Sequence, residues 1–246
     1  MEGNSTSAVV SARISRRRVL GASVLAARGT GPFIAGPARA QGLVTGPITP
    51  AAALAELMAG NQRYVANNLT SYNVNLPLRR EETAPKQMPF AAVLSCADSR
   101  VPVELIFDQS IGDLFVARVA GNITTPEIFA SLEYSAAVLK TVKVILVLAH
   151  TNCGAVRATI IGEQQVGQIT ALYPHIEPAV PPALRGTPNP TDDQVDGVAH
   201  DNAQIQAALL SDASPPLKEL IQANPPYLII VSGIYNIVSG VVTFDS

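Results

Sequence analysis

Five residues in two short segments have the types and spacing to do chemistry. Cys96, Asp98 and Arg100 stand in Cys96-Ala97-Asp98-Ser99-Arg100, and His150 and Cys153 stand in His150-Thr151-Asn152-Cys153. The chain has two cysteines, and both are here. Two thiolates and an imidazole supply three ligands for a tetrahedral zinc and leave its fourth position over. His150 and Cys153 are three residues apart, so one turn aims both at one point. Cys96 and Asp98, two apart, lie on one side of an extended segment. Such a set suits hydrolytic or hydration chemistry better than a structural zinc knot.

Asp98 has two readings. It accepts hydrogen bonds from Arg100 in a charge-assisted pair that shapes the site, or it turns to the metal and fills the fourth position. A disulfide between Cys96 and Cys153 competes with zinc, but it explains neither the placing of His150 nor the Asp98–Arg100 pair. Two thiolates cancel the formal charge of Zn²⁺. A neutral site should lower the pKa of bound water less than a three-histidine site, which brings it to about 7. Activity is therefore expected to rise toward alkaline pH. His175 and His200 have no evident partners and read as surface histidines.

The elements that must position these residues can be read from apolar patterning. Pro89 to Cys96, Leu114 to Val119, Val142 to Leu148 and Tyr227 to Val231 are short apolar runs of the kind that form buried parallel strands. Val241 to Phe244 reads as a hairpin arm, and Val103 to Phe107 is ambiguous. Helices are expected from Ala51 to about Val65, capped by Thr49-Pro50. Others are expected from Thr125 to about Lys140, over Gly154 to Ile161, over Asp192 to Leu210 and from Pro215-Pro216 to about Gln222. Asn67 to Gln87 is polar with proline and reads as loop. Gln165 to Leu184 reads as helical at first and breaks at Pro174, and Pro181 to Pro190 is a proline-rich loop. Strands alternating with helices imply an α/β fold with a mostly parallel central sheet flanked by helices. In such sheets ligands bind outside the carboxyl ends of the strands. Cys96 ends one predicted strand, and His150 and Cys153 follow another.

The chain has 246 residues, 48% of them hydrophobic and 15% charged, which excludes a disordered chain and suits one α/β domain. Net charge is -2 with no basic stripe in the body, so nucleic acid is not an expected partner. No apolar run approaches the roughly 20 residues that span a bilayer. The first forty residues differ: Arg16-Arg17-Arg18 precedes small and apolar residues and then Ala38-Arg39-Ala40. That reads as an export signal peptide of the twin-arginine kind over residues 1–40, interrupted by Arg28, and implies a periplasmic protein. An unprocessed basic tail, and so a cytoplasmic protein, is the alternative. Residues 41–246 would form the catalytic domain.

The two ligand segments together resemble the β-class carbonic anhydrases. The resemblance continues through Gly60-Asn61-Gln62-Arg63-Tyr64, Phe107-Asp108-Gln109, Gly112-Asp113-Leu114-Phe115-Val116, Ala120-Gly121-Asn122 and Ser131-Leu132-Glu133-Tyr134. It covers roughly Pro50 to Phe244. It implies Zn²⁺ held by Cys96, His150 and Cys153, with a zinc-bound hydroxide that attacks carbon dioxide to give bicarbonate and a proton. It implies that Asp98 orients that hydroxide, that Arg100 holds Asp98 off the metal, and that Gln109 donates a hydrogen bond to substrate oxygen. It further implies a homodimer or homotetramer in which the N-terminal helix reaches a partner. The sequence departs from the family's pattern at Ala149, where many members have Gly, and at Val119, where many have Asn. A related zinc hydrolase for carbon disulfide or carbonyl sulfide, or a zinc- or bicarbonate-binding sensor, shares the same ligands.

Overall fold

The computed structural model describes residues 49–162 and 167–245. The expected export signal lies outside the described residues. Five strands make one sheet: β1 (Ala91–Ser95), β2 (Leu114–Arg118), β3 (Val144–His150), β4 (Ile229–Tyr235) and β5 (Val242–Phe244). Their order is β2-β1-β3-β4-β5. The first four run parallel and β5 pairs antiparallel with β4. This is the expected mostly parallel sheet with a terminal hairpin arm. β1 and β3 are buried at every position, as continuous apolar runs require.

The chain passes from β1 to β2 on one side and places β3 on the other. The order therefore reverses between β1 and β3, and a crevice opens there at the carboxyl ends. Ser95 is in register with Leu148. The residues leaving β1 and β3 emerge side by side at that crevice.

One face of the sheet carries α4 (Pro126–Glu133), α5 (Gly154–Ile161), α7 (Asp192–Ala213) and α8 (Pro215–Gln222). Leu94, Ile145, Val147, Val156, Ile160, Val198 and Leu210 are buried among them. The other face carries α1 (Pro50–Val65) and α3 (Val103–Ile106), packed on Val93, Leu146 and Leu148. Leu114, Val116, Ile229 and Val231 on that face stay only partly buried.

Thr49 caps α1 by accepting from the Ala52 amide, with Pro50 in the first turn. Thr191 and Gln194 form a reciprocal capping box at the start of α7. The helix after Thr125 widens into a π-turn over Tyr134–Val138. Two expectations need correction. Asn67 to Gln87 is not all loop: α2 (Leu76–Thr83) forms there, capped by Asn75 with Pro77 in its first turn, where a proline costs no hydrogen bond. Pro174 likewise sits in the first turn of the short α6 (Tyr173–Ile176) instead of ending a helix.

Candidate metal centre

Cys96 is the first residue after β1, His150 the last of β3, and Cys153 the N-cap of α5. All three are buried, and their ligand atoms lie within 4.8 Å of one another. Both cysteines carry free thiols. The described residues offer no other cluster of three or more metal-ligating His, Cys, Asp or Glu side chains.

His150 Nδ1 lies 2.9 Å from the Thr151 carbonyl. A carbonyl only accepts, so Nδ1 carries the proton and Nε2 presents its lone pair to the cysteines. That Nε2 is buried without a hydrogen-bond partner. An orphaned imidazole nitrogen in a core is costly unless something ligates it. Zinc fits this donor set of two soft sulfurs and one nitrogen.

The two sulfurs act on each other's acidity in opposite directions. The Cys153 thiol hydrogen-bonds to Cys96 and draws it down to about 4. Burial opposes this, and His150 and the Gly121 and Asp98 backbones assist it. The Gly121 amide donates to Cys96 Sγ at 3.3 Å. Cys153 is pushed up as the proton holder, by Cys96 first and by burial second, while the Val156 and Ala155 amides of α5 pull the other way. A cation arriving between the sulfurs would displace that proton.

Asp98 stands beside the cluster and not within it. Its Oδ2 is 3.8 Å from His150 Nε2. Arg100 donates to Asp98 from Nε at 2.9 Å, from Nη2 at 2.8 Å and from its amide at 2.9 Å, and reaches the Asn152 carbonyl at 3.1 Å. These hydrogen bonds hold the Asp98 carboxyl well below the usual carboxylate range, against a smaller opposing effect of burial. The carboxylate is thus ionised, oriented and kept off the sulfurs.

Arg118 is a site residue that sequence reasoning passed over. It donates to the Cys96 carbonyl at 3.0 Å and the Asp98 carbonyl at 2.6 Å, fastening the loop that carries both. A lone cation at the end of an apolar strand was the available signal. The Gln109 amide nitrogen donates to Phe107 O at 2.9 Å and Glu56 Oε1 at 3.2 Å, where α1 packs against α3. Gln109 also borders a cavity of about 410 Å³ with Ser71, Leu76, Glu104, Ser110 and Leu114. His200 is not partnerless, as it had seemed: its Nε2 meets Asp245 Oδ1 at 2.7 Å.

Known proteins resemble this chain. The chain is similar to the carbonic anhydrase of Mycolicibacterium smegmatis, 38% identical over 135 residues, 53% of this chain and 65% of that protein. Carbonic anhydrase 2 of Mycobacterium tuberculosis matches at the same identity over 53% of this chain and 64% of its own length. The aligned region thus spans a little under two thirds of these curated relatives. Among solved structures, the Coccomyxa β-carbonic anhydrase superposes with a TM-score of 0.61 at 25% identity, over 78% of this chain and 85% of that one. A Sordaria macrospora β-carbonic anhydrase, described as tetrameric, shares the fold with a TM-score of 0.59 at 22% identity, over 71% and 93%. The family model described as carbonic anhydrase covers residues 91–242, from the first residue of β1 into β5 and across every ligand. On fold, ligand set and that match together, the chain belongs to the carbonic anhydrase family, in its β class.

Proposed function

We propose that this protein catalyses the reversible hydration of carbon dioxide, with Zn²⁺ held by Cys96, His150 and Cys153. The observation that carries the reading is the buried, unpartnered Nε2 of His150 facing two free thiols beside an ionised Asp98. Bound there, zinc would supply the Lewis acidity that makes water nucleophilic near neutral pH. The chain's own residues do the rest. Thr151 fixes the imidazole tautomer. Asp98 accepts a hydrogen bond from the attacking water and orients its lone pair toward carbon. Arg100 keeps that carboxylate charged and held beside the Cys96, His150 and Cys153 donor atoms without joining them. The partly exposed Asp98 leaves a route for the released proton to solvent. Water adds to carbon dioxide, and bicarbonate and one proton leave.

Carbon dioxide hydration by stopped flow, with metal content measured on the same sample, tests the reading. The parent should carry about one zinc per chain and turn over faster at alkaline pH. Asp98→Ala should keep its zinc and lose on the order of 10²-fold or more in turnover, the scale of a positioned proton acceptor. Zinc uptake without turnover would overturn the assignment and point to carbon disulfide, carbonyl sulfide or simple ligand binding. We further propose a homodimer or homotetramer as the working unit, supported by the partly uncovered sheet face.

A further inference from the structure

Helix α7 lies against the apolar core, yet two of its core-facing residues are amides. Asn202 and Gln206, one turn apart, are both fully buried. Their neighbours on the same face are Val198, Ala199, Ala203 and Leu210. Leucine at either position would serve packing, so the amides need another reason. Their hydrogen bonds supply it. Asn202 Nδ2 donates to the Gly121 carbonyl at 2.9 Å. Gln206 Nε2 donates to Asn202 Oδ1 at 3.1 Å and to the His175 carbonyl at 3.0 Å. Gln206 Oε1 accepts from the Thr124 amide at 2.8 Å and its hydroxyl at 2.6 Å.

Three of these bonds end on Gly121 and Thr124, in the segment that follows β2. Gly121 has φ 75° there and Asn122 φ 41°. Glycine suffers no steric penalty in this left-handed region and also gains nothing from it, so its peptide planes rotate readily unless held. A Cβ at Gly121 would stand 2.6 Å from Ile176 Cδ1 and would be strained at this φ, so a bulkier residue is disfavoured there. What this turn delivers is the Gly121 amide, which points at Cys96 Sγ.

We infer that Asn202, braced by Gln206, is a positioning residue for the metal centre: it fixes Gly121 so that its amide donates to the sulfur of Cys96. The inference rests on reading Cys96 as a metal ligand. A donor on a thiolate drains charge from the ligand and fixes its direction, as partners of metal ligands do elsewhere. Without Asn202 the Gly121 peptides turn, the amide leaves the sulfur, and the Cys96 side chain loses its aim.

The test compares the parent, Asn202→Ala and Leu210→Ala, which empties a core position on the same helix without touching the turn. Zinc affinity is measured by competition with a chelator, and thiolate-to-metal charge-transfer absorption is measured on the cobalt(II)-loaded proteins. Asn202→Ala should weaken zinc about 10- to 100-fold, the range found for partners of metal ligands, and should shift the charge-transfer band. Leu210→Ala should lower Tm and leave both readings as in the parent. An Asn202→Ala protein with parental zinc affinity and an unchanged band overturns the inference, as does an equal loss of affinity in Leu210→Ala. If Asn202→Ala does not fold, Asn202→Asp decides between the same outcomes: it keeps the acceptor for Gln206 and sets a carboxylate oxygen against the Gly121 carbonyl. A parent that takes up neither metal would instead overturn the metal-centre reading itself.

Discussion

Two aspartates ten residues apart show how one side chain takes two roles according to its partners. Asp98 is held by Arg100 and stays partly exposed. Asp108 is enclosed: it accepts from the Thr70 and Ser71 amides, the Thr70 hydroxyl and Arg63 Nε at distances of 2.5 to 3.0 Å. Burial alone would raise the Asp108 carboxyl, but the Ser71, Arg63 and Thr70 hydrogen bonds outweigh it and hold the carboxyl below its ordinary value. A carboxylate whose folded value is depressed adds stability above its unfolded value of about 3.9, and that stability disappears as pH falls through the folded value. Asp108→Asn should therefore cost about 3 kcal/mol at neutral pH, because it strands the donors of a buried ion pair. Its Tm should approach the parent's as the pH falls below about 4. Denaturation curves from pH 7 down to pH 3 check this; a gap that stays constant would show that Asp108 contributes shape and not charge.

At the scale of the elements, the strands that carry the ligands were readable because a strand buried on both faces is a continuous apolar run. Ala91–Ser95 and Val144–His150 differ from their expected bounds by only a residue or two. α2 was hidden because its Pro77, taken for a breaker, occupies a first-turn position. The ligand cluster was legible since its donors come from two short segments. The groups that aim those ligands were not, because Arg118, Gly121 and Asn202 reach the site only once β2 and α7 are packed against it. The meeting of α1 and α3 is another such fact. A Cβ on Gly60 would stand 1.9 Å from the Phe107 carbonyl oxygen, a backbone atom that cannot step aside. Alanine gains about 1 kcal/mol over glycine within a helix, whereas overpacking a core costs about 1–3 kcal/mol or more. At such a contact the clash wins. Gly60→Ala should lower stability by about 2 kcal/mol or more, read as a falling urea midpoint; a rise would mean that α1 lifts from α3 freely.

The whole molecule leaves one side of its sheet thinly clad. β2 is an edge strand, and Leu114, Phe115 and Val116 are only partly buried. Near them in sequence or along the bordering cavity, Leu76, Leu78, Met88 and Ile111 are exposed. An edge strand ringed by apolar side chains invites another chain. No helix among the described residues is long and apolar enough to cross a membrane. A second copy is the occupant we expect. Residues 41–246 should sediment as a dimer or tetramer at micromolar concentration. Leu78→Lys and Ile111→Lys together should shift that equilibrium toward the monomer without unfolding it, since both side chains are close to half exposed. Each lysine would bring an unpaired charge into a closing apolar contact, and desolvating it costs several kcal/mol. A doubly substituted protein that sediments like the parent would place the interface elsewhere. The α1 surface bearing Met58 and Val65, also exposed, would then be the surface to charge next.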